Sequence, residues 1–133
     1  MKKILLDTNA YARFFSGDEN VLNVISRADI VYMSVIVLGE LYYGFKGGSK
    51  ESWNREIIRK FIDKPSVSVL GATTETSEIF AEIKDVLKIN GTPIPINDVW
   101  IAAHSIETGS VLITYDRHFK KIPGLRIWDI NMA

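Results

Sequence analysis

Residues Ser110–Asp116 read SVLITYD, three consecutive β-favouring apolar residues that lead into a threonine and then an acid. Near the N-terminus, residues Ile4–Asn9 read ILLDTN and repeat this arrangement. Apolar runs without alternation indicate strands that are covered on both faces, as in a parallel sheet. Because the carboxyl ends of parallel strands open at one edge of the sheet, we expect Asp7 and Asp116 to lie close together there.

Strand-like and helix-like segments alternate along the rest of the chain. Apolar runs at 30–33, 67–70 and 125–128 predict three more strands, and helical periodicity predicts helices in the intervening segments. This alternation is typical of a parallel sheet with helices on both faces. The sequence therefore predicts an α/β fold, a three-layer α/β/α sandwich with a central, mainly parallel five-stranded sheet.

Length and composition restrict the class of protein. The 133 residues are 47% hydrophobic and 24% charged, which is typical of one globular domain, 1–133. The formal net charge is zero, so any site for a polyanion has to be local. Cysteine is absent, which excludes disulfides and thiolate ligands. We recognise no signal peptide and no apolar run that could span a bilayer, and therefore expect a cytoplasmic protein without membrane association.

The two strand-end acids each have an alternative role. Asp7 and Asp116 could each simply cap the helix that follows. Their joint occurrence with Thr8, Asn9 and Thr114 beside them favours a shared site instead.

A third acid, Glu40, lies in the middle of a predicted helix, 35–45, that is apolar nearly all round. We expect this helix to be well buried. A carboxylate in such a place costs several kcal/mol unless it is paired or coordinates a metal. Arg13 and Arg27 are alternative partners, and a helix end that stays hydrated is another alternative.

The fourth acid, Asp98, follows the proline-rich loop 92–95, where it or Asn97 could serve as the helix N-cap. If the four acids converge, their like charges repel unless a cation neutralises them. Oxygen donors without cysteine or a paired histidine suit Mg²⁺ or Mn²⁺ rather than zinc. One or two such ions activate water and stabilise charge on a phosphodiester, so an all-acid pocket predicts phosphoryl chemistry.

The two histidines are weaker candidates. His104 lies within the helix that begins near Asp98, where a packing or surface role is expected. His118 follows Asp116 closely and either contacts a substrate phosphate or lies on the surface. Neither is included in the predicted catalytic set. The sequence also lacks a glycine-rich phosphate loop, a nucleophile elbow and an HExxH motif.

Four short motifs resemble those of PIN-domain proteins. LLDTN at 5–9 resembles the opening motif of the family, and GELYYG at 39–44 resembles its second motif, glutamate-leucine-x-x-glycine. DVWIAA at 98–103 resembles the third motif, and TYDRHF at 114–119 resembles the fourth, threonine-x-aspartate-x-x-phenylalanine. Each motif alone is weak, whereas the ordered set covers essentially the whole chain and is quite specific.

Compact PIN-domain proteins of this size are similar to the VapC toxins of toxin–antitoxin pairs. The resemblance implies a Mg²⁺- or Mn²⁺-dependent endoribonuclease, usually a homodimer, that a cognate antitoxin protein holds inactive. It also implies which residues form the site. The catalytic, metal-binding set would be Asp7, Glu40, Asp98 and Asp116. Thr114, and less directly Asn9, would support them.

RNA would have to be drawn to this neutral chain by local basic patches. The predicted RNA-binding residues are Arg13, Lys46 and Arg117. Further candidates lie on the helix at 49–64, although ordinary solvated surface is the favoured interpretation of that basic face. Two alternative functions remain. One is a PIN-like module that binds metal or RNA with little catalysis. The other is a haloacid-dehalogenase-type phosphatase, which needs a second acid where this chain has Asn9.

Overall fold

In the computed structural model, residues 2–128 are described, so residue 1 and residues 129–133 of the predicted domain 1–133 lie outside the described part. The strands are β1 (Lys3–Leu6), β2 (Ile30–Ser34), β3 (Val67–Leu70), β4 (Val111–Ile113) and β5 (Ile127–Trp128). The helices are α1 (Thr8–Phe15), α2 (Glu19–Arg27), α3 (Val35–Phe45), α4 (Glu51–Ile62), α5 (Thr74–Ile89) and α6 (Ile96–Thr108), with a 3-10 turn at Arg117–Lys121.

The five strands form one sheet in the order β3-β2-β1-β4-β5, and every pairing is parallel. The predicted five-stranded sheet is therefore confirmed. Strand β1 lies at its centre, where Leu5 is aligned with Tyr32 of β2 on one side and Leu112 of β4 on the other. The chain builds outward from β1 in one direction through β2 and β3, then crosses back to β4. The gap between β1 and β4 is thus a switch point, where sites of such sheets form.

Helices cover the two faces of the sheet. The connections from β1 to β2 and from β2 to β3 run in one direction, and the connection from β3 to β4 runs in the opposite direction. Right-handed crossovers therefore put α1–α4 on one face and α5 and α6 on the other. The core lies between these layers, and Ile4, Leu5 and Leu6 of β1 are fully buried in it.

Several predicted boundaries differ from those in the structure. Strand β5 begins at Ile127 rather than at residue 125, and β2 extends to Ser34 rather than ending at residue 33. Helix α6 begins at Ile96 with Pro95 as its N-cap, so the alternative role of Asp98 or Asn97 as the N-cap is wrong. Proline needs no hydrogen-bond partner for its nitrogen, which suits it to a helix start.

Helix α3 is less buried than its composition predicts. Val37, Leu38 and Leu41 pack into the core, whereas Tyr43 is 82% exposed and Val35 is 39% exposed. The helix lies on the outside of the sheet, so only one of its faces can be covered, however apolar the other face is. No helix within residues 2–128 is long and apolar enough to cross a membrane.

Candidate active site

Asp7 directly follows the central strand and is the most buried of the four predicted acids, 4% exposed. Its Oδ1 atom accepts a hydrogen bond of 2.7 Å from the Ala10 N–H and so caps α1. Its Oδ2 atom accepts a hydrogen bond from the Thr114 hydroxyl. The capping role considered from the sequence is therefore real, and the same carboxylate also faces a pocket.

The electrostatics of Asp7 are those of a carboxylate that lacks a positive partner. The pKa of Asp7 is raised from 3.8 to about 6, chiefly by burial and to a smaller extent by the negative charges of Asp98 and Asp116. The hydrogen bonds from Thr114 and the Ala10 N–H oppose this shift without cancelling it. A nearby cation would favour the ionised form.

Thr114 connects the ends of β1 and β4. The register aligns Leu6 with Ile113, so the residues that follow them, Asp7 and Thr114, are neighbours. The Thr114 hydroxyl donates to Asp7 and accepts a bond of 2.9 Å from the Asp116 N–H. Asp116 in turn caps the 3-10 turn, because its Oδ1 accepts from the His118 N–H at 3.3 Å. Thr114 therefore fixes the relative positions of the two strand-end acids.

Glu40 reaches the same edge of the sheet from α3. Its Oε1 atom accepts a hydrogen bond of 2.5 Å from the Thr8 hydroxyl, and its Oε2 atom accepts one of 3.4 Å from the Asn97 side-chain amide. Neither arginine considered from the sequence pairs with Glu40. Arg13 lies 3.8 Å from Asp18 instead, and Glu40 has no ion pair, with Arg27 or any other residue, among the described residues. Glu40 is partly exposed, so its burial costs less than the apolar helix predicted.

Asp98 lies in the first turn of α6 and faces the strand-end acids. Its Oδ2 atom is 2.6 Å from Nε2 of His118. Burial raises the pKa of Asp98, the His118 side chain opposes this, and the charges of Glu40 and Asp116 add to the rise. Asp98 is thus a second carboxylate for which the site provides insufficient positive charge.

His118 is the site residue that sequence reasoning missed. Its Nδ1 atom lies 2.8 Å from Oδ1 of Asp116, so the ring stands between Asp116 and Asp98. One donor atom from each of these three residues lies within 4.8 Å of the other two. The available signal was the position of His118 two residues after an acid that caps a tight turn, which folds the ring back over that acid.

The four acids line one cleft of about 390 Å³. Its other lining residues include Thr8, Asn9, Asn97 and His118. Thr114 is buried behind Asp7 and does not line it. Four carboxylates are a donor set that suits a divalent ion such as Mg²⁺ or Mn²⁺. The buried Nε2 atom of His118 has no hydrogen-bond partner of good geometry, which also fits an ion at this place.

A second cleft, of about 650 Å³, opens beside the acidic one and shares Asn9 and Asp116 with it. Arg13 and Arg117, two of the predicted RNA-binding residues, line this second cleft. The third, Lys46, lines neither cleft; it follows α3 and lies 3.6 Å from Glu51.

The basic face of α4 is partly neutralised by its own acids. The Arg59 guanidinium lies 2.5 Å from Glu56 and 3.1 Å from Asp63. This pairing favours the solvated-surface interpretation of the helix.

Comparisons with known proteins agree with these motifs and this geometry. The sequence profile of the PIN domain matches residues 4–125. The chain is 30% identical to "Ribonuclease VapC2" of Rickettsia felis, over 94% of this chain and 97% of that protein. It is 31% identical to "tRNA(fMet)-specific endonuclease VapC" of Salmonella typhimurium, over 97% of this chain and 98% of that protein. Among solved structures, VapBC2 from Rickettsia felis bound to a promoter DNA fragment superposes with a TM-score of 0.84 at 25% identity, covering 96% of this chain and 99% of the other.

Proposed function

Because the chain belongs to the PIN-domain family, we propose that it is a metal-dependent endoribonuclease and the toxin of a toxin–antitoxin pair. The observation that carries the proposal is the cleft at the switch point of the sheet, where Asp7, Glu40, Asp98 and Asp116 meet. Relatives that match nearly the full length of the chain are named as VapC ribonucleases, which supports RNA as the substrate.

The residues present would hold one or two Mg²⁺ or Mn²⁺ ions through the four carboxylates, with His118 as a nitrogen donor. The chemistry that a bound divalent ion supplies is activation of water and stabilisation of charge on the phosphodiester. The residues behind the acids keep them in place. Thr114 orients Asp7 and the Asp116 backbone, and Thr8 holds Glu40 at 2.5 Å. Fixed donors of this kind need little reorganisation when substrate arrives.

The proposal extends to partners and location. RNA as substrate implies action in the cytoplasm. A cognate antitoxin protein would hold the enzyme inactive, and the structural neighbour VapBC2, which was solved bound to a fragment of promoter DNA, supports such a pairing. We further propose a homodimer. Toxicity on expression that is relieved by co-expression of the adjacent open reading frame would support the antitoxin role, and analytical ultracentrifugation would test the dimer.

Cleavage of a structured RNA pool tests the enzymatic proposal. We expect purified protein to cut RNA in Mg²⁺ or Mn²⁺ and to be inactive in EDTA. Asp7→Asn and Asp98→Asn should each lower the cleavage rate at least about a hundredfold, because each removes a charge that the metal needs. The matched control is Asp85→Asn, which changes an exposed aspartate on α5 that lines neither cleft.

Other outcomes distinguish the alternatives. If cleavage survives both cleft substitutions, the activity comes from elsewhere and the proposed site is wrong. Metal and RNA binding without cleavage would favour the binding module. Hydrolysis of a small phosphate monoester with no action on RNA would favour the phosphatase, although Asn9 lines the cleft where that enzyme class needs an acid.

A further inference from the structure

The second cleft adjoins the proposed catalytic pocket. Asn9 and Asp116 line both clefts, so a strand whose phosphate lies at the acids has its neighbouring nucleotide in or beside the second cleft. Its volume of about 650 Å³ lies within the range of roughly 300–1,000 Å³ of small-molecule pockets in proteins. The cleft is therefore large enough for one nucleotide.

The guanidinium group of Arg13 lines this cleft and is held in place by its neighbours. The Arg13 guanidinium lies over the Tyr115 ring, 4.2 Å from its centroid. Asp18 holds both partners, because its Oδ2 atom accepts a 2.9 Å hydrogen bond from the Tyr115 hydroxyl and lies 3.8 Å from Arg13 Nη1. The edge-on ring of Trp128 supports Tyr115 at a centroid distance of 5.9 Å. The Arg13 side chain remains 55% exposed, so it is still accessible from the cleft.

The charge pattern indicates what this arrangement recognises. Asp18 offsets much of the positive charge of Arg13, so charge alone would make Arg13 only a weak binder of phosphate. A guanidinium plane that is backed by an aromatic ring is instead a stacking surface for an unpaired base. Arg117 follows Asp116 and has no ion pair among the described residues, so it is available for a phosphate.

We propose that this cleft is a nucleotide subsite in which the base next to the scissile phosphate stacks on Arg13, with Arg117 at the flanking phosphate. The subsite rests on the proposed ribonuclease function and specifies how single-stranded RNA is held there. Recognition of an unpaired base implies that the preferred substrates present an unstacked loop at the cut.

Measuring how tightly RNA binds to variants that lack the planar guanidinium of Arg13 tests the subsite. The probe is an RNA that the protein cuts, resynthesised with a 5′ fluorophore, and affinity is measured by anisotropy in EDTA. Arg13→Lys keeps the charge and removes the plane, and we expect it to weaken binding about tenfold, nearly as much as Arg13→Gln. The matched controls are Arg27→Lys and Arg27→Gln, on the exposed end of α2, which should change affinity less than twofold.

Abasic substitution in the RNA identifies the base. One abasic nucleotide beside the cut should weaken wild-type binding as much as Arg13→Lys does. The same abasic RNA should cause no further loss with Arg13→Lys, because the stacking pair is already gone. Tyr115→Phe, which removes the bond to Asp18 and keeps the ring, should give an intermediate loss.

The outcomes separate this subsite from the proposed function. Metal-dependent cleavage with unchanged binding by Arg13→Lys, or equal losses for Arg13 and Arg27 variants, overturns the subsite and leaves the ribonuclease standing. A wild-type protein that neither binds nor cuts RNA overturns both. Thermal melting of each variant shows whether a loss comes from unfolding, and a variant that melts like wild type yet binds weakly supports the subsite.

Discussion

Two buried polar groups near the carboxyl edge of the sheet, His104 and Asp7, have opposite electrostatic situations. His104 is fully buried in α6, and its Nε2 atom lies 3.1 Å from the Gly71 carbonyl. A carbonyl only accepts, so Nε2 carries the proton, and Nδ1 accepts from the Ser34 hydroxyl at 2.9 Å. Ser34 also accepts from the Ile36 N–H. Each polar atom is satisfied in the neutral form, and burial lowers the pKa of His104.

Asp7 has two hydrogen bonds and is still not satisfied. Its pKa is raised to about 6 by burial and by the neighbouring acids, so its charged form lacks compensation in the chain itself. His104 connects α6 to the ends of β2 and β3 and stabilises the fold. Asp7 lowers the stability of the metal-free fold at neutral pH, and under our proposal a bound cation would offset this cost. Burial alone therefore does not indicate a site, whereas burial together with uncompensated like charge makes a residue a candidate for one.

The largest expected effect is on the satisfied group. His104→Ala should lower the free energy of unfolding by about 2–4 kcal/mol, because it leaves a cavity and removes the hydrogen-bond partners of Ser34 and Gly71. Urea denaturation checks the value, and RNA cleavage per folded molecule should stay near wild type. A His104→Ala protein of full stability would show that the polar cluster around His104 does not hold the fold together.

Substitution of Asp7 should change stability in the opposite direction. In EDTA at pH 7, Asp7→Asn should raise the free energy of unfolding by about 1–3 kcal/mol. The folded pKa is about 6 against 3.8 in the unfolded chain, so wild-type stability falls as pH rises from 3.8 to 6 and stays lower above that. The Thr114 hydroxyl can accept from the new amide, which limits the loss of hydrogen bonding.

Two controls apply to this comparison of Asp7→Asn with wild type. The stability difference should shrink towards zero as pH falls below 3.8, where Asp7 is uncharged in both the folded and the unfolded state. Mn²⁺ should stabilise wild type more than Asp7→Asn. A variant that is less stable than wild type in EDTA at pH 7 contradicts our account of Asp7.

The smallest effect is the pH dependence due to His104. The folded pKa lies below 6.5, so the unfolded state takes up the proton first as pH falls, and stability drops below pH 6.5 with a slope of at most about 1.4 kcal/mol per pH unit. This contribution is fully present above pH 6.5. Because Asp7 acts in the opposite direction between pH 6 and 3.8, the slope is best measured in Asp7→Asn. The double variant Asp7→Asn/His104→Ala should lose this pH-dependent slope. An unchanged slope in the double variant would assign the effect to another group.

Much of the fold could be predicted from local patterns. The apolar runs of β1 and β4 are short, unbroken and followed by acids, which fixes their type and their burial. The start of α6 was harder, because Asn97 and Asp98 are better N-caps than Pro95 by side-chain chemistry, and only the loop geometry selects the proline. The exposure of α3 could not be read from a helix whose apolar residues occur on every side.

The four acids of the candidate site could be predicted from the sequence, but their arrangement in space could not. Strand ends and motif order indicated Asp7 and Asp116, whereas the position of His118 depends on a capped turn that no periodicity reveals. Arg13 and Lys46 look alike in sequence as cations near helix ends. Only the tertiary structure puts Arg13 beside the acids and pairs Lys46 with Glu51.

The sheet order also sets when the pocket can be completed during synthesis. Asp7 is made before its partner Thr114, which lies 107 positions further along the chain. Since β4 must pair with β1 before these two meet, a chain still lacking residues 111–118 has Asp7 and Glu40 but no Thr114, Asp116 or His118. A growing chain therefore cannot hold the complete acidic pocket until residues 111–118 have been made and β4 has paired with β1.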